Sequence, residues 1–464
     1  MHVLVIGAYG SAGVAAAEVL ADGDAEVTLV DGGDPGGGLC ILRGCMPSKE
    51  VLSAAQHAHQ ARSDPRLDAD VDVDLDRVVA RKDDHTAEFA RHRRDAVHDL
   101  TERENMTFHH ESARFVDDGV VRVGDERYEP DYVIVATGST PRTPDLPGID
   151  DVEPMDSADV LDATEFPASG VVLGFGAVGL ELVPYLAEAG GMDLTVIEHD
   201  ARPLDRAAPA VGDGIVECYR EEFGVDVLTN AEEQRVAATD DGGVRVAVER
   251  DGETETVEAE QLFCFTGRVP STAGLGFEAT GIEAGEGWIN PGTLRARDDP
   301  TVFAAGDVVG ERNLLHTAKE EGEVAARNVL ADWHGETLET YDPITHHVIF
   351  TAAGVYPYVT VGMTPGEAED AGHDVLTASR EASDDGVFRT KDAARGRAEL
   401  VVDAADGTVL GYHGWHYEAD VMAKTLQIIV ETEMDVRDVP NRAFHPTTPE
   451  IIDGLVRQVS EELR

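Results

Sequence analysis

Positive charge is scarce in this chain. Its 464 residues hold 37 Lys and Arg against 91 Asp and Glu, a formal net charge of −54. In ordinary salt such a chain repels itself and its compact state is destabilised. Concentrated salt cuts the reach of that repulsion to a few ångströms. The acids run along the whole chain rather than in a tail, so they point to an enzyme of a salt-rich cytoplasm. They exclude a nucleic-acid partner, which needs a basic surface. No apolar run is long enough to cross a membrane. The opening MHVLVIGAYG reads as a β-strand rather than a signal peptide, and a soluble, cytoplasmic protein is expected.

Cysteine is also scarce, with four in the chain. Cys218 and Cys264 stand alone and read as small buried hydrophobes. Cys40 and Cys45 are close together, which in a cytosolic chain means metal or redox chemistry more often than a structural staple. A structural zinc site would need further ligands, and none is in place; the His-rich HHES and THHV read as surface. No metal is expected.

The length exceeds one compact core, so several domains are expected. The first thirty residues read strand, glycine turn, helix and strand, ending on Asp31. A second such unit starts near Val171 and ends on Glu198. Two βαβ units suggest two dinucleotides. In the second, Gly174, Gly176 and Gly179 fit G-x-G-x-x-G without adjustment. An acid at Glu198 hydrogen-bonds the free ribose of NAD and repels the extra phosphate of NADP, favouring NADH over NADPH. Arg202 and Arg206 nearby leave NADPH open. In the first, Gly7, Gly10 and Gly13 lie three apart, so the loop carries one extra residue, or Ala8 replaces the first glycine. Its context still suits a pyrophosphate at a helix N-terminus, with Asp31 on an adenosine ribose. Residues 51–105 read as a long polar helix, TPRTPDLPGI as a linker, and the chain from about Thr345 as an α+β domain.

The segment GGGLCILRGCMPSK places Cys40 and Cys45 just before a helix beginning near Pro47. One helical turn brings such thiols within disulfide reach, and a helix N-terminus favours a thiolate.

Here the chain resembles the pyridine nucleotide-disulfide oxidoreductases with a Cys-x4-Cys centre, over essentially its whole length. GGLCILRGCMPSK resembles their redox motif, and IVATGS and TVFAAGDV their later FAD motifs. GFGAVGLE resembles their NAD motif, GRVPST their GRxPNT and HPTTPE their HPTxxE. The resemblance implies two Rossmann-like dinucleotide-binding domains and a C-terminal α+β dimerisation domain, an α/β fold. The FAD domain is expected at 1–148 and 292–342, the NAD(P) domain at 149–291 and the interface domain at 343–464. It implies FAD, held through Gly7, Gly10, Gly13, Asp31, Gly38, Thr137, Gly138 and Asp307. NAD(P) would lie on Gly174, Gly176, Gly179, Glu198, Gly267 and Arg268. Cys45 is implied as the charge-transfer thiolate, Cys40 as the interchange thiol, and His445 with Glu450 as acid–base. Lys49 and Glu181 match the ion pair beside the flavin ring. The His comes from the other subunit in this family, so a homodimer with two shared active sites is implied.

Three departures bear on the substrate. The Gly7 loop is expanded. The family's HAHPT is AFHPT here, with Ala443 for the first His. FTAAGVYPYVTVGMT is longer and less regular than FTxPExAxVG. VRQVSEELR lacks the extra cysteines of a mercuric reductase. LLHTAKEEG, with His316, resembles a stretch of dihydrolipoamide dehydrogenases and favours a dithiol, free or on a lipoyl domain, as substrate with NAD. The alternative is a reductase of a small disulfide such as bis-γ-glutamylcystine, whose carboxylates require a basic pocket; Arg43, inside the redox loop, is a candidate contact. A flavoprotein that only relays electrons between proteins is a further class.

Overall fold

The computed structural model describes Met1–Arg464 as two compact units. The first comprises Met1–Pro47, Ala80–Arg142 and Arg268–Pro343; the second comprises Ser48–Val79, Thr143–Gly267 and Ile344–Arg464.

The first unit is built on a five-stranded parallel sheet in the order Val302–Ala304, Tyr132–Val135, His2–Ile6, Glu26–Val30 and Met106–His109. These strands are near-continuous apolar runs because both faces are covered. Val3, Leu4, Val5, Leu29 and Ile134 are fully buried, each contributing about 2 kcal/mol by leaving water. The Ser11–Ala21 helix packs on the Leu315–His334 helix, and small residues set that approach. A Cβ on Gly322 would lie 2.2 Å from the Ala12 carbonyl oxygen. An antiparallel meander of Ala113–Asp117, Val120–Val123 and Glu126–Tyr128 completes the unit, with the pair Ser139–Pro141 and Arg268–Pro270.

The second unit holds three sheets. One is parallel, in the order Asp226–Leu228, Asp193–Ile197, Ser169–Leu173, Gln261–Cys264. The antiparallel strands Ala231–Ala238, Val244–Arg250 and Glu253–Ala259 form the next. The third is five-stranded and antiparallel, from Val375–Glu381 through Gly396–Asp403, Val409–His416 and Tyr358–Gly362 to His346–Ile349. The helices Ala419–Glu431 and Glu450–Glu462 pack on it, their apolar stripes buried with Tyr412 and Phe388.

The single polar helix read over 51–105 is two, Cys45–Ser63 and Leu75–Leu100. The break is Asp64-Pro65. A residue before proline is pushed out of the helical region, and the Asp64 carboxylate ties Arg66 into a turn at 2.6 Å. The irregular stretch after Phe350 forms a short 3-10 turn at Ala352–Gly354, with Ala352 and Ala353 at positive φ. No helix is long and apolar enough to cross a membrane.

Candidate active site

Cys40 lies in a single helical turn, Leu39–Leu42, and Cys45 is the first residue of the Cys45–Ser63 helix. The first thiol is half-buried and the second exposed, and they form a hydrogen-bonded dithiol. That hydrogen bond, followed by burial, pushes the Cys40 thiol well above its ordinary value. A dithiol so close is poised to close into a disulfide. Cys218 and Cys264 are buried elsewhere, and burial pushes their thiols up, the latter to about 12. No group of three or more His, Cys, Asp or Glu is arranged to hold a metal.

The two glycine loops are built alike. Gly7 and Gly174 turn the chain out of their strands at φ +95° and +94°, a conformation that L side chains avoid. Gly10 and Gly176 cap the helices that follow. A Cβ on Gly13 would lie 2.2 Å from the Gly7 carbonyl oxygen; on Gly179 it would lie 2.4 Å from that of Gly174. The acid at the end of each second strand accepts the amide just before the capping glycine. Tyr9 N–H donates to Asp31 Oδ2 at 2.9 Å, and Phe175 N–H to Glu198 Oε2 at 3.0 Å. The loops therefore differ by one inserted residue between Gly7 and Gly10, the first of the two readings above. By that match Tyr9 stands where Phe175 does, and Ala8 is the residue the insertion adds. Tyr9 is buried, bonds His98 Nε2 at 2.8 Å through its hydroxyl, and lies under Gly36, where a Cβ would strike its ring. The sequence showed the insertion but not this plug.

Both loops present free helix amides and backbone bare of side chains, and so fit a dinucleotide pyrophosphate. In the first unit Ser139 Oγ donates to Asp307 Oδ2 at 2.6 Å, and Arg268 Nε donates to Ser139 Oγ at 2.8 Å. Thr137 Oγ1 donates to the Ser271 carbonyl, and Gly38 and Gly138 sit at positive φ. Arg268, read from the sequence with the nicotinamide nucleotide, is thus fixed beside Asp307. Gly267 follows Phe265 and Thr266, whose backbone crowds Gly174.

In the second unit Lys49 Nζ donates to Glu181 Oε2 at 2.7 Å and lies 4.3 Å from the Phe350 ring centre. Phe350 N–H donates to the other carboxylate oxygen at 3.1 Å. The carboxylate is fixed from two sides and carries the ammonium with it, a role for Phe350 that the sequence did not reveal. His445 Nδ1 bonds Glu450 at 3.0 and 3.2 Å, and Thr447 N–H donates to the same carboxylate at 3.0 Å. These bonds hold the Glu450 carboxyl below its ordinary range. The His445 side chain is 80% exposed and Phe444 beside it 89% exposed.

Residues 1–322 match the family model for pyridine nucleotide-disulphide oxidoreductase, and 347–455 match that family's dimerisation domain. The dihydrolipoyl dehydrogenase of Halobacterium salinarum is 32% identical over 464 residues, covering 97% of this chain and 94% of that protein. A mercuric reductase of Bacillus cereus is 30% identical over 418 residues, covering 88% of this chain and 63% of that protein. Among solved structures, LpdA from Mycobacterium tuberculosis superposes with a TM-score of 0.83 at 22% identity, over 99% of this chain and 100% of that one. The HOCl-induced flavoprotein disulfide reductase RclA from Escherichia coli does so at 0.82 and 24%, again over 99% and 100%. The chain belongs to the pyridine nucleotide-disulphide oxidoreductases, FAD- and NAD(P)-dependent enzymes that act on sulfur groups.

Proposed function

We propose that this enzyme, as a homodimer with two shared active sites, oxidises a lipoyl-type dithiol to its disulfide with NAD+. The observation that carries the reading is the hydrogen-bonded Cys40–Cys45 pair in the same unit as a dinucleotide loop. The halophilic dihydrolipoyl dehydrogenases, similar along nearly the whole chain, support the substrate.

With Cys40 and Cys45 as a disulfide, a substrate thiolate attacks the Cys40 sulfur and Cys45 leaves as a thiolate. The second substrate thiol then displaces Cys40, so the substrate becomes a disulfide and the pair a dithiol. His445, held by Glu450, takes the proton from the attacking thiol. The Gly7–Gly13 loop with Asp31, Gly38, Thr137, Gly138 and Asp307 would hold FAD, which would supply two-electron chemistry between the dithiol and the nicotinamide. Glu181 would hold the Lys49 ammonium in place. Gly174, Gly176 and Gly179 would hold the nicotinamide nucleotide, and Glu198 selects NAD over NADP. Balance is complete: one dithiol and NAD+ give one disulfide, NADH and a proton.

A second reading, reduction of a small carboxylate-bearing disulfide by NAD(P)H, is favoured by the cations beside Cys40 described below. Steady-state rates in concentrated salt, with dihydrolipoamide and NAD+ and with bis-γ-glutamylcystine and NADH or NADPH, test both. Turnover of the first pair supports the lipoyl reading, and turnover of the second alone replaces it. Absence of bound FAD in the purified protein would overturn both.

A further inference from the structure

Arg91-His92-Arg93-Arg94 is a cationic run without an acid, in a chain whose acids exceed its bases by 54. Its position is as unusual as its charge. The Leu75–Leu100 helix buries Ala90 and Val97 against the first unit. Arg93 and Arg94 fall between them, three and four residues on from Ala90, and are half-buried on the same stripe. That stripe braces the redox loop. A Cβ on Gly37 would lie 3.1 Å from Ala90 Cβ and 3.3 Å from Leu42 Cγ. Arg94 donates to the Gly36 carbonyl at 2.7 Å. Arg93 makes a long, 3.5 Å contact with the Tyr9 carbonyl, and its charge reaches Cys40.

Many arginines elsewhere in this protein are held by carboxylates, while Arg220 and Arg297 each take a backbone carbonyl. Arg395 takes three, and Arg62, Arg202, Arg206, Arg245 and Arg437 each take one. Arg93 and Arg94 have backbone carbonyls alone. Arg94 is spent on the loop. Arg93 is a half-buried guanidinium with one weak acceptor for its five N–H groups. Such a group is costly to keep there unless an anion joins it.

We propose that Arg93 is a specificity-determining residue that reads a carboxylate on the substrate next to the sulfur meeting Cys40, so that anionic disulfides and dithiols are preferred over neutral ones. The inference rests on Cys40 as the sulfur that meets substrate. A charge-assisted, bidentate guanidinium–carboxylate contact survives concentrated salt because it is short and partly dry.

The test uses two disulfides that differ in charge alone, 3,3′-dithiodipropionate and its diamide, reduced with NADH by the FAD-loaded enzyme in molar KCl. The parent enzyme should favour the dianion in kcat/KM by about tenfold or more, as expected for a hydrogen bond to a charged group. Arg93→Gln should bring the ratio near one while leaving the diamide rate and the FAD content unchanged. Arg93→Lys should restore part of the preference. An unchanged ratio in Arg93→Gln, or an equal loss on both probes, overturns the inference. Loss of FAD in that variant also overturns it, since Arg93 would then serve the cofactor. Disulfide turnover by Cys40→Ser would instead sink the assignment beneath it, whatever Arg93 does.

Discussion

Glu321 should make this enzyme less stable as pH rises. It sits on the Leu315–His334 helix at 2% exposure, accepting the Gly306 amide at 2.8 Å. Burial pushes its carboxyl up to about 7; the Gly306 N–H and Arg312 pull it down, and Asp307 and Glu311 push it further up. The folded carboxyl binds its proton more tightly than the unfolded one, whose value is near 4.5. Its contribution is therefore fully present below pH 4.5 and lost as pH rises through 7. That gap of about 2.5 pH units, at about 1.36 kcal/mol each, makes the charged form cost about 3 kcal/mol above pH 7. Glu321→Gln keeps an oxygen for the Gly306 amide and removes the charge. The variant should melt with its parent at pH 4.5 and about 5 °C above it at pH 9, both saturated with FAD in molar KCl. Comparing the two proteins at each pH cancels every other titration. Equal melting temperatures at pH 9 would refute the reasoning: the anion would then be satisfied by the Gly306 amide and Arg312, and burial would not be the dominant effect.

His59 gives the opposite window. Burial alone would lower its value, but hydrogen bonds to Glu188 and Glu222 outweigh this and raise it to about 9. Its stabilisation is fully present below pH 6.5 and lost as pH passes 9, so His59→Gln should cost about 3 kcal/mol at pH 6 and progressively less by pH 10 in paired melts. Glu450→Gln leaves His445 without its carboxylate partner and should lower kcat by about 10- to 100-fold in stopped-flow turnover, with FAD absorbance intact. Gly179→Val puts carbon against the Gly174 carbonyl, where only 2.4 Å is available for a Cβ. Titration should show weakened nicotinamide-nucleotide binding with FAD retained, and equal loss of both would contradict the separate assignment of the two loops.

Much of the fold was legible because it is local. The apolar strands, the glycine turns and the acids at Asp31 and Glu198 lie within thirty residues of one another, and their geometry follows from backbone sterics alone. The extra residue between Gly7 and Gly10 could be counted, since it breaks a fixed spacing. The break at Asp64-Pro65 was also there to be read and was overridden by the alanine-rich pattern on either side. The contacts of Tyr9 in the expanded loop were not readable. Its hydroxyl meets His98 and its ring lies beneath Gly36, contacts set by how strands pack rather than by spacing. Phe350 escaped for the same reason: its backbone amide holds Glu181 across 169 positions of chain.

Arg93 escaped for a different reason, and its helix explains it. Charge counted over the whole chain marks every cation as a rarity in an acidic field, and a polar helix marks each as solvated. The informative signal is the phase: Ala90, Arg93, Arg94 and Val97 share one face, so two guanidinium groups take positions where the period demands apolar side chains. A protein this acidic offers most cations a carboxylate near at hand, as the arrangement around Arg395 shows. Cations that stay on a buried stripe with backbone carbonyls for company are therefore held against the local charge balance. Desolvating them costs free energy that no internal ion pair returns. The residue type, the phase and the neighbouring thiol together point to an anion that arrives from outside the chain.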